Sequence, residues 1–523
     1  MIGFFDVILR GLALCGQSMA MGGVLFALCV LRAATEDEAA KGPRLDRTLS
    51  LIAGGAVGVV VAQALGLVVQ FGALADTSGW PWQAVLATEF FHATIFKSAV
   101  CALMAACALA LRRSPRQRGL WLALSGLTGL FAIATALTSH AAARLEHRGP
   151  LLAFDALHQV GAAAWVGGLI HLLASVARSK HEPPWPAALL RRFSAMALTA
   201  VAVLVVAGIG LSVYYIDGFR ALLGTGYGLM VLTKIALLGV LLGLGALNFR
   251  TVRRLPAAEP VALDRLRRYV EVELGLGLTV LFAAASLTSL PPAVDVVADR
   301  ATLAEVGTRF TPQWPRLTSP PLEALPIDDR EAPRTKEDEA WSEYNHHMAG
   351  LFVVAMGILA ILSRLGVRWA RHWPLVFLGM AAFLLVRNDP GSWPLGPEGF
   401  WEGMTRAEVV QHRIFVVLVV GFGFFEWAVQ TGRVTSQRCA LVFPVLCAAG
   451  GMLLLTHSHA ALSLKTEYLT EVTHAPLGVL AVIAGWGRWL ELRLPPADTR
   501  LPGRIFVVAL ALVGVLLVLY RES

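Results

Sequence analysis

Residues 192–216 read RFSAMALTAVAVLVVAGIGLSVYYI, with no charged side chain between Arg192 and Asp217. A helix rises about 1.5 Å per residue, so about 20 apolar residues cross the hydrocarbon core of a bilayer. This stretch is long enough, and it is apolar all round rather than on one stripe. That pattern marks a helix with lipid or protein on every side.

Working outward, similar runs fill the chain. Those before it lie at 5–32, 49–72, 88–111, 119–140 and 151–177, and those after it at 224–249 and 266–290. A further set follows at 345–364, 373–387, 408–430, 437–457, 469–490 and 503–520, the run at 373–387 being the shortest. The expected fold is an all-α polytopic membrane protein with about 14 transmembrane helices. The runs are continuous rather than alternating, which argues against a transmembrane barrel.

Composition agrees. The chain has 523 residues, 56% hydrophobic and only 15% charged, against about 25% charged in soluble domains. A chain this poor in charge cannot cover a water-facing surface, and disorder needs the opposite balance. Cys15, Cys29, Cys101, Cys107, Cys439 and Cys447 lie within or beside apolar runs and form no Cys-x-x-Cys pattern. They read as small core hydrophobes. The stretch Met1–Arg10 lacks a basic n-region and a small-residue cleavage site, so the first helix reads as a retained anchor.

The net charge is +8. Its placement reads as orientation and calls for no nucleic-acid partner. Alternate loops are basic: Arg32/Lys41/Arg44/Arg47, Arg112/Arg113/Arg116/Arg118, Arg178/Lys180/Arg191/Arg192 and Arg250/Arg253/Arg254/Arg265/Arg267/Arg268. The same side later carries Arg364/Arg368/Arg371, Arg433/Arg438 and Arg488/Arg493/Arg500/Arg504, while the opposite loops are sparse. Basic loops stay cytoplasmic. Both termini are then expected on the periplasmic side of a bacterial inner membrane, together with the polar segment 291–343. That segment has no His, Met or Cys and reads as a linker or small cap. It divides the chain into 1–290, 291–343 and 344–523.

With this orientation, ten of thirteen histidines fall near the outer boundary. His92 opens the third run, His140 closes the fourth, His147 sits in the outer loop, and His158 lies two turns into the fifth. His346 and His347 open one later run, His412 opens another, His457 and His459 close the next, and His474 begins the one after. The order repeats. Ser78-Gly-Trp80-Pro-Trp82 precedes His92, and Gly391-Ser-Trp393-Pro394 precedes His412. Thr138-Ser-His140-Ala-Ala matches His457-Ser-His459-Ala-Ala, and Asp155-x-x-His158 matches Glu471-x-x-His474. His92 to His140 is 48 residues and His412 to His459 is 47. Two related four-helix units, each with a His on three successive helices, are the inference.

Ionisable groups in a membrane are candidates for function by default, and imidazole suits Cu, Zn, Fe and Ni. His92, His140, His158, His346, His347, His412, His457, His459 and His474 are therefore the candidate metal ligands. Asp155 and Glu471 stand on the same helical face as their His and are candidate acceptors for an imidazole N–H. Met19, Met21 and Met348 are thioethers suited to Cu(I), though Met in a membrane helix is mostly packing. The plain alternative is that a lone interfacial His is only a polar boundary residue. By the same reasoning His171 and His372 read as structural, His181 as an exposed loop residue, and Lys97 and Lys234 as snorkelling or paired cations. Trp80, Trp82, Trp393 and Trp401 fit an interfacial belt.

The segment 150–292 carries Asp155-Ala-Leu-His158, Ala164-Trp-Val-Gly-Gly168, Arg192-Phe-Ser194, Gly224-Thr-Gly-Tyr-Gly228 through Lys234, Asn248, and Ser286-Leu-Thr-Ser-Leu-Pro-Pro292. In these motifs the chain resembles the copper resistance protein D (CopD) family of bacterial inner-membrane proteins, over about the first 290 residues. The resemblance implies passage or delivery of copper at the membrane, often with a separate periplasmic copper-binding protein of the CopC type. His158 carries over most readily. No CopC-like domain is fused, and the last six helices extend past the family core. The leading expectation is a copper-handling membrane protein rather than an enzyme. A b-type haem or copper oxidoreductase is the alternative, with haem b held by His92 and His158 or by His412 and His474. A membrane scaffold is the third reading.

Overall fold

A computed structural model describes residues 2–32, 38–78, 83, 86–175, 187–254, 260–325, 335–456 and 464–522. Among these, fourteen helices are long and apolar enough to cross a membrane. They are α1 Phe5–Leu31, α2 Gly42–Gly72, α3 Glu89–Arg113, α4 Arg118–Ala136, α5 Arg148–Ala174, α6 Ala187–Tyr215, α7 Gly226–Arg254 and α8 Val261–Leu287. They continue as α9 Lys336–Arg364, α10 Arg368–Arg387, α11 Glu408–Gln430, α12 Gln437–Leu455, α13 Leu464–Arg493 and α14 Arg500–Val518. No strand occurs among the described residues, and the chain is an all-α polytopic membrane protein.

Helix is the element that satisfies its own backbone in lipid, and the polar side chains inside these helices follow suit. Thr94, Thr128, Thr135, Ser212 and Thr279 each return their hydroxyl to the carbonyl four residues back. Boundaries differ from the hydropathy reading where polar turns intervene. The helix of α9 starts at Lys336 rather than 345, because Thr335 and Asp338 form a capping box before a charged first stretch. His346 and His347 therefore sit well inside it. The α4 helix ends at Ala136, since Thr138 and Ser139 bond back to Thr135 and Ala136. Ser139 then caps a separate turn, His140–Ala143, so His140 does not close α4. Arg488, counted above with the basic loops, is a buried residue of α13.

The chain divides into two compact units. One comprises Ile2–Asp217 and Lys234–Val294. Here α1 packs on α2, α5 and α8, α2 on α3, α3 on α4, and α5 on α6. Small residues let backbones meet. A Cβ on Gly167 would run into the Ser18 carbonyl oxygen, and one on Gly22 into that of Ala163. This crossing lies at a π turn, Ala163–Gly167, inside α5.

The other unit comprises Met1, Gly218–Thr233 and Asp295–Ser523. The first turns of α7 thus group with the C-terminal helices, and Ala301 donates its N–H to the Gly224 carbonyl there (2.9 Å). In this unit α9 packs on α10 and α14, α11 on α10 and α12, and α13 on α12 and α14. Trp373, Phe377, Phe422, Phe443 and Phe506 form its aromatic centre. Arg488 and Glu426 pair at 2.8 Å between α13 and α11, both buried.

Candidate functional site

In the N-terminal unit the conspicuous group lies around Asp155 and His158 on α5. The Nδ1 of His158 is 3.0 Å from the Leu204 carbonyl oxygen of α6. A carbonyl only accepts, so Nδ1 carries the proton and Nε2 holds the lone pair. Gly208 makes room, since a Cβ there would lie 3.2 Å from His158 Cε1.

One turn earlier, Asp155 accepts from Gln159 Nε2 at 2.6 Å. Gln159 Oε1 in turn accepts from Gln17 Nε2 at 2.8 Å. This line of bonds ties α1 to α5. Lys97 of α3, buried, and Lys234 of α7 both act electrostatically on Asp155, and Lys234 also on His158. The two cations read as snorkelling or paired thus both lie within electrostatic reach of one carboxylate.

His92 is exposed on α3, and His140 is half-buried at the start of its own turn. Met19 is half-buried, and Met21 is fully buried in the core of α1. His171 is buried, with Nε2 2.8 Å from the Met19 carbonyl oxygen and its ring stacked on Phe26. His372 accepts from Trp427 Nε1 at 2.9 Å.

A second polar group was not singled out from the sequence. Glu273, buried in α8, accepts from Trp165 Nε1 and Asn248 Nδ2, each at 2.7 Å. Trp165 and Asn248 were visible as motif residues, but nothing local pointed to Glu273 as their common acceptor.

The C-terminal unit separates its histidines by role. His347, fully buried, accepts the Arg316 backbone N–H at Nδ1 (2.7 Å) and donates from Nε2 to the Tyr520 carbonyl (2.8 Å). Both ring nitrogens are thereby spent on the backbone. His346 donates Nδ1–H to the Ser342 carbonyl (2.8 Å), and His474 does the same to the Thr470 carbonyl (2.8 Å). The two rings stand edge to face, 5.3 Å between centroids. Tyr520 stacks on His346 at 3.8 Å and lies 5.6 Å from His474. Glu522 is held by the hydroxyls of Ser342 and Tyr520.

His412 is paired instead with Asp389 through Nδ1 (2.8 Å). Arg413 beside it donates to the carbonyls of Leu385 and Trp393. Glu471 and Met348 are half-buried, and His181, His457, His459, Trp80 and Trp82 lie outside the described residues. Among the described residues no three His, Cys, Asp or Glu side chains are gathered as a ready-made metal site.

Known proteins give this geometry a context. Residues 1–149 match the family model described as "Copper resistance protein D-like, N-terminal domain". Residues 187–287 match the one described as "Copper resistance protein D". Both matches lie within the first 287 residues of the chain. Lys97, Lys234, Asn248 and Glu273 lie within the matched residues, while Asp155 and His158 lie between the two matches. The chain is also 29% identical over 297 residues to the copper transport protein CutJ of Bacillus subtilis (strain 168). The match takes in 54% of this chain and 52% of that protein, so it spans about half the length of the curated relative. No solved structure matches.

Proposed function

We propose that this chain handles copper at a bacterial inner membrane, taking the ion at the periplasmic ends of its helices for delivery or transport. The matches of residues 1–149 and 187–287 to copper resistance protein D models support copper as the cargo. The single observation that carries the site is the His158–Leu204 hydrogen bond, which leaves Nε2 as the ring's metal-binding nitrogen. The basic loops on alternate connections support the orientation, even without Arg488.

The charges beside His158 favour loading over free passage. Asp155 attracts a cation, while Lys97 and Lys234 repel a second one in a medium where such forces are strong. A separate periplasmic protein of the CopC type would supply the ion to the outer face. No chemical reaction is assigned to the chain. The haem reading gains no support: His92, a member of the first proposed pair, is exposed.

The test is copper content, by mass spectrometry, in cells expressing the chain or His158→Ala, together with copper binding by the purified proteins. Expression is expected to change cellular copper, and the substitution to abolish that change. Unaltered copper in both strains, with no copper bound by either protein, would overturn the reading.

A further inference from the structure

The carboxylate of Glu273 takes no part in the group around His158. It sits in the middle of α8, only 4% exposed. Its two oxygens accept from Trp165 Nε1 of α5 and Asn248 Nδ2 of α7, each at 2.7 Å. We propose that Glu273 is a proton-binding site inside the bilayer, held in a cradle that accepts its charged and its neutral form alike.

Asn248 makes the cradle fit both forms. Its Oδ1 is buried and has no hydrogen-bond partner among the described residues. The two ends of an amide are nearly the same size, and the group can turn over about its last bond. As it stands, Nδ2–H donates to the carboxylate. Turned over, Oδ1 takes the place of Nδ2 and accepts the O–H of a protonated Glu273. The turn sacrifices no bond at Oδ1, since none is made there. Trp165 Nε1–H donates to the other oxygen in either form.

Charge gives the site its reason to titrate. A carboxylate inside a membrane is costly without a cation. Among the described residues, Trp165 and Asn248 are the groups that act on this one, and both are neutral. The titratable side chains of the surrounding helices are engaged elsewhere. On α5, His171 bonds the Met19 carbonyl, His158 the Leu204 carbonyl, and Asp155 accepts from Gln159. On α7, Lys234 acts on Asp155 and His158, while Arg250, Arg253 and Arg254 are exposed. On α1, Arg10 pairs with Asp6, Arg32 lies over Trp121, and Cys15 and Cys29 bring no positive charge. On α8 itself, Arg267 and Arg268 pair with Asp264 and Glu271, and Tyr269 is neutral. The charge of Glu273 is therefore left to a proton, or to a cation that arrives.

Under the copper-handling reading, on which this step rests, the arriving cation is copper. Trp165 follows His158 by seven residues, about 10 Å along α5. As the ion loads, the O–H bond of Glu273 breaks and its proton leaves to water. The carboxylate left behind offsets the ion's charge. One cation enters, one proton leaves, and nothing is oxidised or reduced.

The test is infrared spectroscopy of the purified full chain, following the C=O band of a protonated carboxylic acid as pH is raised. The original protein is compared with Glu273→Gln, which resembles the neutral acid and keeps both bonds, and with Glu273→Asp. A band that fades with rising pH is expected in the original protein, missing from the Gln variant and present again, shifted, in the Asp variant. Identical spectra for the original protein and the Gln variant, or a Glu273 band indifferent to pH, would overturn the proposal. Cu(I) added where the band is strong is expected to weaken it and to release one proton more from the original protein than from the Gln variant. Equal release would overturn the exchange. The two readings fail separately: no copper bound, with the titrating band intact, would sink copper handling and keep the proton site.

Discussion

The Nε2 of His347 lies 2.8 Å from the carbonyl oxygen of Tyr520, 173 positions along the chain. The bond holds the segment after α14 against α9, with the Tyr520 ring flat on the neighbouring His346. Removing the imidazole by His347→Ala leaves the Arg316 N–H and the Tyr520 carbonyl without it and opens a cavity. We expect a loss of about 2–4 kcal/mol, read as a lower unfolding temperature in detergent and as earlier proteolysis of the C-terminal residues. Wild-type behaviour in both would show that the clamp does not matter.

The crossing of α1 and α5 leaves no room for a side chain at Gly167. Gly167→Ala forces backbone apart and is expected to cost about 1–3 kcal/mol or more. Gly54→Ala, on α2 with open space around it, is expected to change stability by less than about 1 kcal/mol. Thermal unfolding of the pair under one set of conditions distinguishes local overpacking from a general intolerance of added methyl groups.

Glu273 gathers two N–H donors in a buried site. Glu273→Leu orphans both and is expected to destabilise the protein by about 1–3 kcal/mol per donor. Glu273→Gln should be much milder. The Oδ1 of Asn248 has no partner among the described residues, so its amide can flip and accept the new Gln N–H. Equal losses for Leu and Gln in chemical denaturation would contradict this account.

Arg488 also holds Glu491 at 2.7 Å while pairing with Glu426. Arg488→Ala strands a buried carboxylate and is expected to cost about 3–5 kcal/mol. The double replacement Arg488→Leu with Glu426→Leu should recover part of that loss, because no charge is then left buried. A double variant less stable than the single one would count against the pair being the cause.

Outside the spans, Glu305 caps the short helix Leu303–Arg309 and meets Lys465 at 2.6 Å. The Lys465 ammonium and the Thr302 N–H and hydroxyl hold its carboxyl down at about 2. An unfolded Glu titrates near 4.3. The stabilisation is therefore complete above about 4.3 and disappears as pH falls through about 2. The difference in unfolding temperature between the original protein and Glu305→Gln should shrink from pH 7 to pH 3. It should also shrink with added salt at pH 7, since the pair is exposed. A difference constant with pH would rule the ion pair out as its source.

The sequence by itself determined the fourteen spans, because hydrophobic length is a local property and a bilayer reads it directly. It was weakest where polar turns set the ends, as at Thr335 and Ser139, whose capping bonds hydropathy does not register. It also placed the histidines near helix ends and offered His346, His347, His412 and His474 together as candidate ligands. Only the tertiary structure separated them. His347 bonds the backbone of Arg316 and Tyr520 and His412 pairs with Asp389, whereas the His346 and His474 rings stand edge to face beside Tyr520. Likewise Lys97 and Lys234, on two other helices, lie within electrostatic reach of Asp155. The physical reason is that an imidazole or carboxylate takes its role from whichever partner packing brings to it, and those partners lie tens to hundreds of residues away.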